Sequence, residues 1–332
     1  MRARIGILFP YRRPLSTFVK GDMELLKRHF AVYPVCISMN VVRLVYDLVR
    51  TVMKTDIIYV WFAGFQAFVS VFLAKIFGKK LVIVAGGYDA AYVPEINYGV
   101  FTCWWRTMMA IFVYKNADLI LTVSKYTKKE LLQRITPKKV SVVYNGIDTK
   151  KFCPSGDKQN FVLTVGAINW SNIRKKGLEN FVKVAKLLPE TRFILVGRHD
   201  DSSINYLRAI AAENVEFTGP VSFNRLLELY RRAKVYVQIS YHESFGVALA
   251  EAMACECVPV VTNKAALPEV AGKCGIYVPY GDIHATATAI KIAFKRAELG
   301  RCARERVVKM FSLEEREKNL IRLLTSLIKS SL

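Results

Sequence analysis

At 332 residues the chain exceeds the length over which one hydrophobic core usually keeps growing, so two domains are expected, and a hydrophobic share of 52% excludes bulk disorder. The formal net charge is +22, with 22 basic against 9 acidic residues up to position 150. Such an excess points to anionic partners: a nucleotide diphosphate, a lipid phosphate or anionic membrane surface, or nucleic acid. No nucleic-acid-binding module is visible, so nucleic acid is not expected. The seven cysteines are scattered with no C-x-x-C pair, and the four histidines are isolated. That spacing argues against a metal site or a disulfide framework and favours a reducing, cytoplasmic setting.

The N-terminus is basic and then apolar only over residues 5–10, too short for a signal peptide and right for a first strand. Strand and helix then alternate: strands at 5–9, 32–37, 57–61, 81–85, 119–123 and 140–144, with helices at 17–29, 41–54, 65–77, within 99–114, and at 126–135. The run 57–74 is uncharged for 18 residues, the lower limit for a membrane span. Gly64 interrupts it, its first part is β-branched and aromatic, and its second part has helical spacing. It therefore reads as strand, loop, helix. Alternation of this kind predicts an α/β fold with parallel sheets covered on both faces. A polar stretch from Lys150, carrying Pro154 and Gly156, predicts a linker, giving domains at 1–152 and 153–310 and a final helix over 311–332. The second half restarts the pattern, with strands at 161–165, 193–196 and 215–217 and helices at 178–187 and 226–232.

The stretch 235–270 organises the chain. It opens with a buried strand, passes through the polar turn Tyr241-His242-Glu243-Ser244, and enters a helix from Phe245 to Ala254 that is apolar nearly all round. Glu251 sits in the middle of that helix with no basic residue within a turn, so a ligand bearing hydroxyl groups is a candidate partner. Glu243 lies eight positions earlier, where a strand's carboxyl end meets a helix amino end. Ligands bind there in parallel sheets, and exposed amides favour phosphate. Glu243 and Glu251, with Pro259 and Leu267-Pro268-Glu269-Val270 following, resemble the E-x7-E block of the retaining nucleotide-sugar glycosyltransferases of family 4.

That resemblance implies the GT-B architecture: two Rossmann-like, doubly wound parallel-sheet domains facing a cleft, the first for the acceptor and the second for the donor. It implies that Glu243 holds the donor sugar with the backbone of Ser244, Phe245, Gly246 and Val247, and that Glu251 holds the ribose. Lys176, directly before Gly177, would meet the donor diphosphate, as a compact ammonium suits a phosphate. Gly166 ends the strand before it. The family's arginine after that glycine is replaced here by Ala167, and Arg174 or Lys175 is the candidate for the second positive charge. Gly219 to Val221 is where the nucleotide base would rest. In the first half, Ser16 and Thr17 lead into a helix that can receive an anion at its N-terminus, and Tyr88 lies near the acceptor. Where many relatives carry a histidine, this chain has Asp89, which either contacts the sugar or acceptor or caps a turn. With no D-x-D motif, the resemblance implies catalysis without a required metal or other cofactor, a nucleotide-diphosphate sugar being the co-substrate. The expected activity is transfer of a sugar, with retention, to a glycan or lipid-linked acceptor at or near the cytoplasmic membrane face. Two readings compete: a degenerate relative that binds sugar nucleotides or an anionic polymer without turnover, and a different two-domain enzyme such as a phosphorylase or epimerase.

Overall fold

A computed structural model describes residues 3–9, 17–36 and 41–329. The chain forms two compact units, one of residues 1–146 with 314–332 and the other of residues 147–313.

The first unit alternates β1 (Arg4–Phe9), α1 (Thr17–His29), β2 (Ala31–Cys36), α2 (Val41–Lys54), β3 (Ile57–Trp61), α3 (Phe65–Ile76) and β4 (Lys80–Ala85). It continues with α4 (Trp104–Asn116), β5 (Leu119–Thr122), α5 (Lys125–Leu132) and β6 (Val140–Val142). The six strands make one sheet in the order β2-β1-β3-β4-β5-β6, parallel throughout. Strands β3 and β5 are buried at every position because helices cover both faces, which is why they read as unbroken apolar runs. The uncharged run 57–74 is divided between β3 and α3, and among the described residues no helix is long and apolar enough to cross a membrane.

The second unit holds β7 (Gln159–Val165), α6 (Trp170–Lys176), α7 (Leu178–Ala185), β8 (Arg192–Val196), α8 (Ser203–Ile210) and β9 (Val215–Gly219). Then come α9 (Phe223–Arg232), β10 (Ala233–Gln238), α10 (Val247–Ala254), β11 (Val258–Thr262), α11 (Leu267–Ala271), β12 (Ile276–Val278), α12 (Ile283–Ala293) and α13 (Ala297–Met310). Its parallel sheet runs β12-β11-β10-β7-β8-β9, placing β7 and β10 side by side at the centre. The loops after those two strands therefore leave the sheet next to each other, and the candidate site is built from them.

The two crossings of the chain between the units lie together. Ile147 N–H donates to Phe311 O at 2.7 Å and Leu313 N–H to Ile147 O at 3.0 Å. The unit boundary thus falls at Gly146, ahead of the polar stretch from Lys150. That stretch belongs to the second unit: Phe152 is buried against Phe223 and Tyr230, and Lys158 Nζ caps the carbonyls of Tyr230, Ala233 and Cys255 at 2.6–3.1 Å.

The final helix, α14 (Leu313–Lys329), is part of the first unit from Glu314 onward. Its Arg316 reaches buried Asp22 of α1 through Nε at 2.5 Å and Nη2 at 2.8 Å, and also donates to the carbonyls of Val143 and Tyr144. Tyr59 and Trp61 of β3 donate to the same carboxylate at 2.7 and 3.0 Å. Every partner a buried ion pair requires is present, so the charge can stay in a dry interior.

One expectation from the sequence is overturned. Cys274 and Cys302 are joined in a disulfide between the single 3-10 turn Gly272–Cys274 and α13. The separation of 28 residues hid the pair, and the cysteine pattern no longer argues for a reducing compartment. Among the described cysteines, Cys103, Cys153, Cys255 and Cys257 are free.

Candidate functional site

The loop after β7 contains a helix that sequence periodicity missed. Seven residues are too few for a hydrophobic pattern, but the ends are legible. Asn169 caps α6 by accepting from Asn172 N–H at 2.8 Å, and Gly177 closes it with a left-handed φ of 67°. Its last turn, Arg174-Lys175-Lys176, is pinned to neighbouring loops: Tyr241 N–H donates to Lys175 O at 2.8 Å and Tyr280 Oη to Arg174 O at 2.7 Å. A Cβ on Gly177 would lie 2.2 Å from Ile239 O, and one on Gly166 would meet Lys176 Cδ at 2.8 Å. The two glycines let the lysine stem run tightly across the end of the sheet.

Lys176 Nζ donates to Glu243 Oε1 at 2.8 Å, with 22% and 15% of the two side chains exposed. Ser240 Oγ is 3.3 Å from the same oxygen. Burial alone would push the Glu243 carboxyl up, but the ammonium of Lys176, with Lys175 and His242 behind it, holds it below its ordinary value. Lys175 is half-buried, and desolvation pulls its own pKa down against the attraction of Glu243. Arg174 points to solvent. Of the two candidates for a second positive charge, Lys175 is the one whose field reaches the site.

The loop after β10 carries Glu243 into α10. Its carbonyl accepts from Ala266 N–H at 3.1 Å, Phe245 is buried edge-on against Phe311, and Gly246 enters the helix at φ 92°. The helix begins at Val247, two positions later than the sequence suggested, so Ser244, Phe245 and Gly246 form the turn that aims its first amides. Val247 and Ala248 keep partial contact with solvent, leaving the positive end of the helix accessible. One turn on, Glu251 accepts from Tyr230 Oη at 3.1 Å. Burial pushes its carboxyl up to about 7, against the pull of that hydrogen bond.

At the ends of β8 and β9, Gly219 adopts φ 68° and its carbonyl accepts from Gly197 N–H at 3.2 Å, while Val221 is half-buried. His199 packs beside Gly219, and its Nε2 is buried without a hydrogen-bond partner, as is Oε1 of Gln238 at the end of β10. Sequence reasoning missed both. An isolated histidine or a strand glutamine carries no signal until burial shows its polar atom unmatched.

The first unit treats the expected residues differently. Asp89 is buried, with Oδ2 accepting from Ala63 N–H at 3.0 Å and Tyr114 Oη at 2.8 Å, and Oδ1 accepting from Gly87 N–H at 3.0 Å. Burial raises its pKa despite these donors. Both oxygens accept hydrogen bonds that close the loop after β4, the geometry of the turn-capping alternative rather than that of a contact with the sugar or acceptor. Tyr88 is exposed, its hydroxyl accepting from Arg106 Nη1 at 2.9 Å. Thr17 opens α1, and Ser16 lies outside the described residues. Among the described residues no three His, Cys, Asp or Glu side chains cluster as a metal site would require.

Residues 27–151 match the family described as glycosyltransferase family 4, and residues 159–295 match glycosyl transferases group 1. The chain is similar to the O-antigen chain mannosyltransferase RfbU of Salmonella typhimurium, 30% identical over 57% of this chain and 54% of that protein. It is 26% identical to the GDP-mannose:cellobiosyl-diphosphopolyprenol alpha-mannosyltransferase of Xanthomonas oryzae over 56% of this chain and 50% of that one. The chain thus matches about half the length of these curated relatives. Among solved structures, sucrose-phosphate synthase from Thermosynechococcus elongatus superposes with a TM-score of 0.83 over 99% of this chain and 100% of that one, at 17% identity. Anabaena HepE in complex with UDP and glucose gives a TM-score of 0.82 over 98% and 100%, also at 17% identity. Both likenesses are of fold.

Proposed function

This chain belongs to glycosyltransferase family 4, with the two Rossmann-like domains of the GT-B fold, and from that premise we propose that it transfers a sugar from a nucleotide-diphosphate donor to a glycan or lipid-linked acceptor. The observation that carries the reading is the Lys176–Glu243 pair, 2.8 Å apart at the ends of β7 and β10 beside the amino end of α10. A diphosphate entering there meets the Lys176 ammonium, the field of Lys175 and the helix amides. These fixed positive groups offset the charge that develops on the leaving nucleoside diphosphate. As the phosphate takes up Lys176, the carboxylate of Glu243 is released to accept from donor-sugar hydroxyls. Glu251, one turn further along α10, would then accept from the ribose. The positive charge for leaving-group departure comes from side chains and amides, so we expect no requirement for a divalent ion. Retention of configuration is expected of the family. Because RfbU and the Xanthomonas relative are named mannosyltransferases, GDP-mannose heads the donors to be tried. A lipid-linked acceptor would place the protein at a membrane face.

The test is release of free nucleoside diphosphate from a panel of GDP-, UDP- and ADP-sugars, with and without EDTA. Turnover that survives EDTA and is lost in Lys176→Ala supports the proposal. Tight donor binding without turnover on any acceptor tried would favour the degenerate binding relative instead.

A further inference from the structure

The outer face of α2, α3 and α4 is built against expectation for a water-facing layer. These helices pack side by side over the first sheet, α3 touching both α2 and α4, and their inner faces fill one core with Leu48, Val52, Ala67, Val71, Ala110 and Val113. Their outer faces are apolar as well. Tyr46 and Met53 of α2 are 63% and 61% exposed, Phe72 and Ile76 of α3 46% and 72%, and Trp104 and Met108 of α4 80% and 63%. Each pair is seven or four residues apart, so each helix turns a continuous stripe outward. The faces of α3 and α4 meet: Phe72 stacks on Phe112 of α4 with centroids 5.5 Å apart, and Lys75 lies over the same ring at 5.9 Å. Around the stripes the three helices carry Arg43, Arg50, Lys54, Lys75, Arg106 and Lys115 against a single carboxylate, Asp47, which pairs with Arg43.

We propose that this face is a docking surface for an anionic lipid bilayer, on which the aromatic and aliphatic stripes enter the headgroup region and the basic side chains meet lipid phosphates. Two independent features select that occupant. The charge is one-signed where the apolar residues are exposed, which complements an anionic surface. It disfavours a second copy of the same positive face. The exposed residues include Trp104 and Tyr46, side chains that suit the boundary between water and hydrocarbon. A patch of this extent is unusual on a water-soluble face, and no described helix is long enough to span, so contact would be peripheral. The proposal deepens the reading of a membrane-facing transferase and rests on it for its purpose, but its test does not depend on turnover.

The experiment is co-sedimentation of the full chain with vesicles of phosphatidylcholine alone or mixed with phosphatidylglycerol, at low and high salt. Binding is expected to the mixed vesicles and to weaken with salt. Ile76→Ser with Trp104→Ser should lower the partition coefficient roughly tenfold or more. Arg50→Glu with Lys54→Glu should lower it by a comparable factor. Ile292→Ser, an exposed apolar site in the other unit, should change nothing. Melting temperatures, and nucleoside diphosphate release from the donor in the presence of a water-soluble acceptor analogue, should stay at wild-type values in all three variants. Failure of the chain to bind the mixed vesicles, or full binding by both multiple variants, overturns the proposal. So does a dimer in light scattering that the Ile76 and Trp104 substitutions dissolve. A chain that binds vesicles but turns over no donor would sink the transferase reading and leave the surface standing.

Discussion

The Asp22–Arg316 and Lys176–Glu243 ion pairs sit in opposite surroundings. Asp22–Arg316 is sealed, its side chains 0% and 3% exposed, with six hydrogen bonds made by or to the pair. Lys176–Glu243 is half-open, and both contacts to the carboxylate fall on one oxygen, Oε1. The first pair has no capacity for a ligand and ties the C-terminal helix to α1. The second keeps unused donors and acceptors at the end of a parallel sheet, where binding sites form. The chemistry of an ion pair does not tell architecture from function. Saturation does.

The comparison breaks most visibly if the sealed pair can be opened cheaply. Arg316→Met leaves the Asp22 carboxylate buried with only Tyr59 and Trp61, and should cost about 3–5 kcal/mol of stability. Chemical denaturation measures it, and donor affinity in the fraction still folded should not change. Replacing both partners, Asp22→Leu with Arg316→Met, should recover much of the loss. Equal losses in the single and double variants would mean that the pair is not the unit that matters.

Lys176→Ala probes the half-open pair. In the proposed role its contact with the leaving diphosphate would strengthen as the sugar–phosphate bond breaks, so kcat should fall roughly 100- to 1000-fold, more than KM rises. Stability should fall by about 1–3 kcal/mol, because the largely buried Glu243 carboxylate loses its main counter-charge. The pair's contact also couples the two residues. Lys176→Ala and Glu243→Ala should be non-additive in nucleoside diphosphate binding, Glu243→Ala leaving a lysine that is easier to capture. Strict additivity in a double-mutant cycle would mean that the pair is broken before the ligand arrives.

Asp89 sharpens the contrast from the other unit. Asp89→Asn should leave kcat within about threefold, while Asp89→Ala should cost about 1–3 kcal/mol of stability by stranding the Ala63 and Gly87 amides. A hundredfold loss of kcat in Asp89→Asn with normal stability would favour its contact with the sugar or acceptor instead.

How much of this was legible follows from range. The block from β10 through α11 could be read because its signals are local: a strand, a turn, a capped helix and two glutamates eight apart. The parallel sheets were legible for the same reason, as each buried strand is a short apolar run. Helix α6 was missed because it spans only two turns, although Asn169 and Gly177 mark its ends. The Asp22–Arg316 lock joins residues 294 apart, and no spacing rule reaches that far. Asp89 and Glu243 look alike in sequence, each an acidic residue just past a buried strand. Only the donors that fold back onto Asp89 separate them.

Glu251 gives the smallest and most specific expectation. It lies on the same helix as the site's amides, its hydrogen-bond partner among the described residues is the neutral hydroxyl of Tyr230, and burial lifts its pKa from an ordinary 4.5 to about 7. The folded protein therefore holds a proton between those values that the unfolded chain does not. A raised acid stabilises the fold below the unfolded pKa, and that contribution disappears as pH rises through about 7. Wild-type stability should thus fall between pH 5 and pH 8 by roughly 1–3 kcal/mol from this group, a range discounted because the side chain keeps some contact with water. Glu251→Gln carries no titrating proton, so its unfolding curve should match wild type near pH 5 and lie above it near pH 8. Donor binding should run the other way. If Glu251 holds the ribose as proposed, the ionised carboxylate would accept from its hydroxyls better than the neutral acid, so wild-type affinity should rise with pH through about 7 while that of Glu251→Gln stays flat and about tenfold weaker at pH 8. Parallel stability curves for the two proteins from pH 5 to pH 8 would show that Glu251 is ionised throughout and paired by a cation.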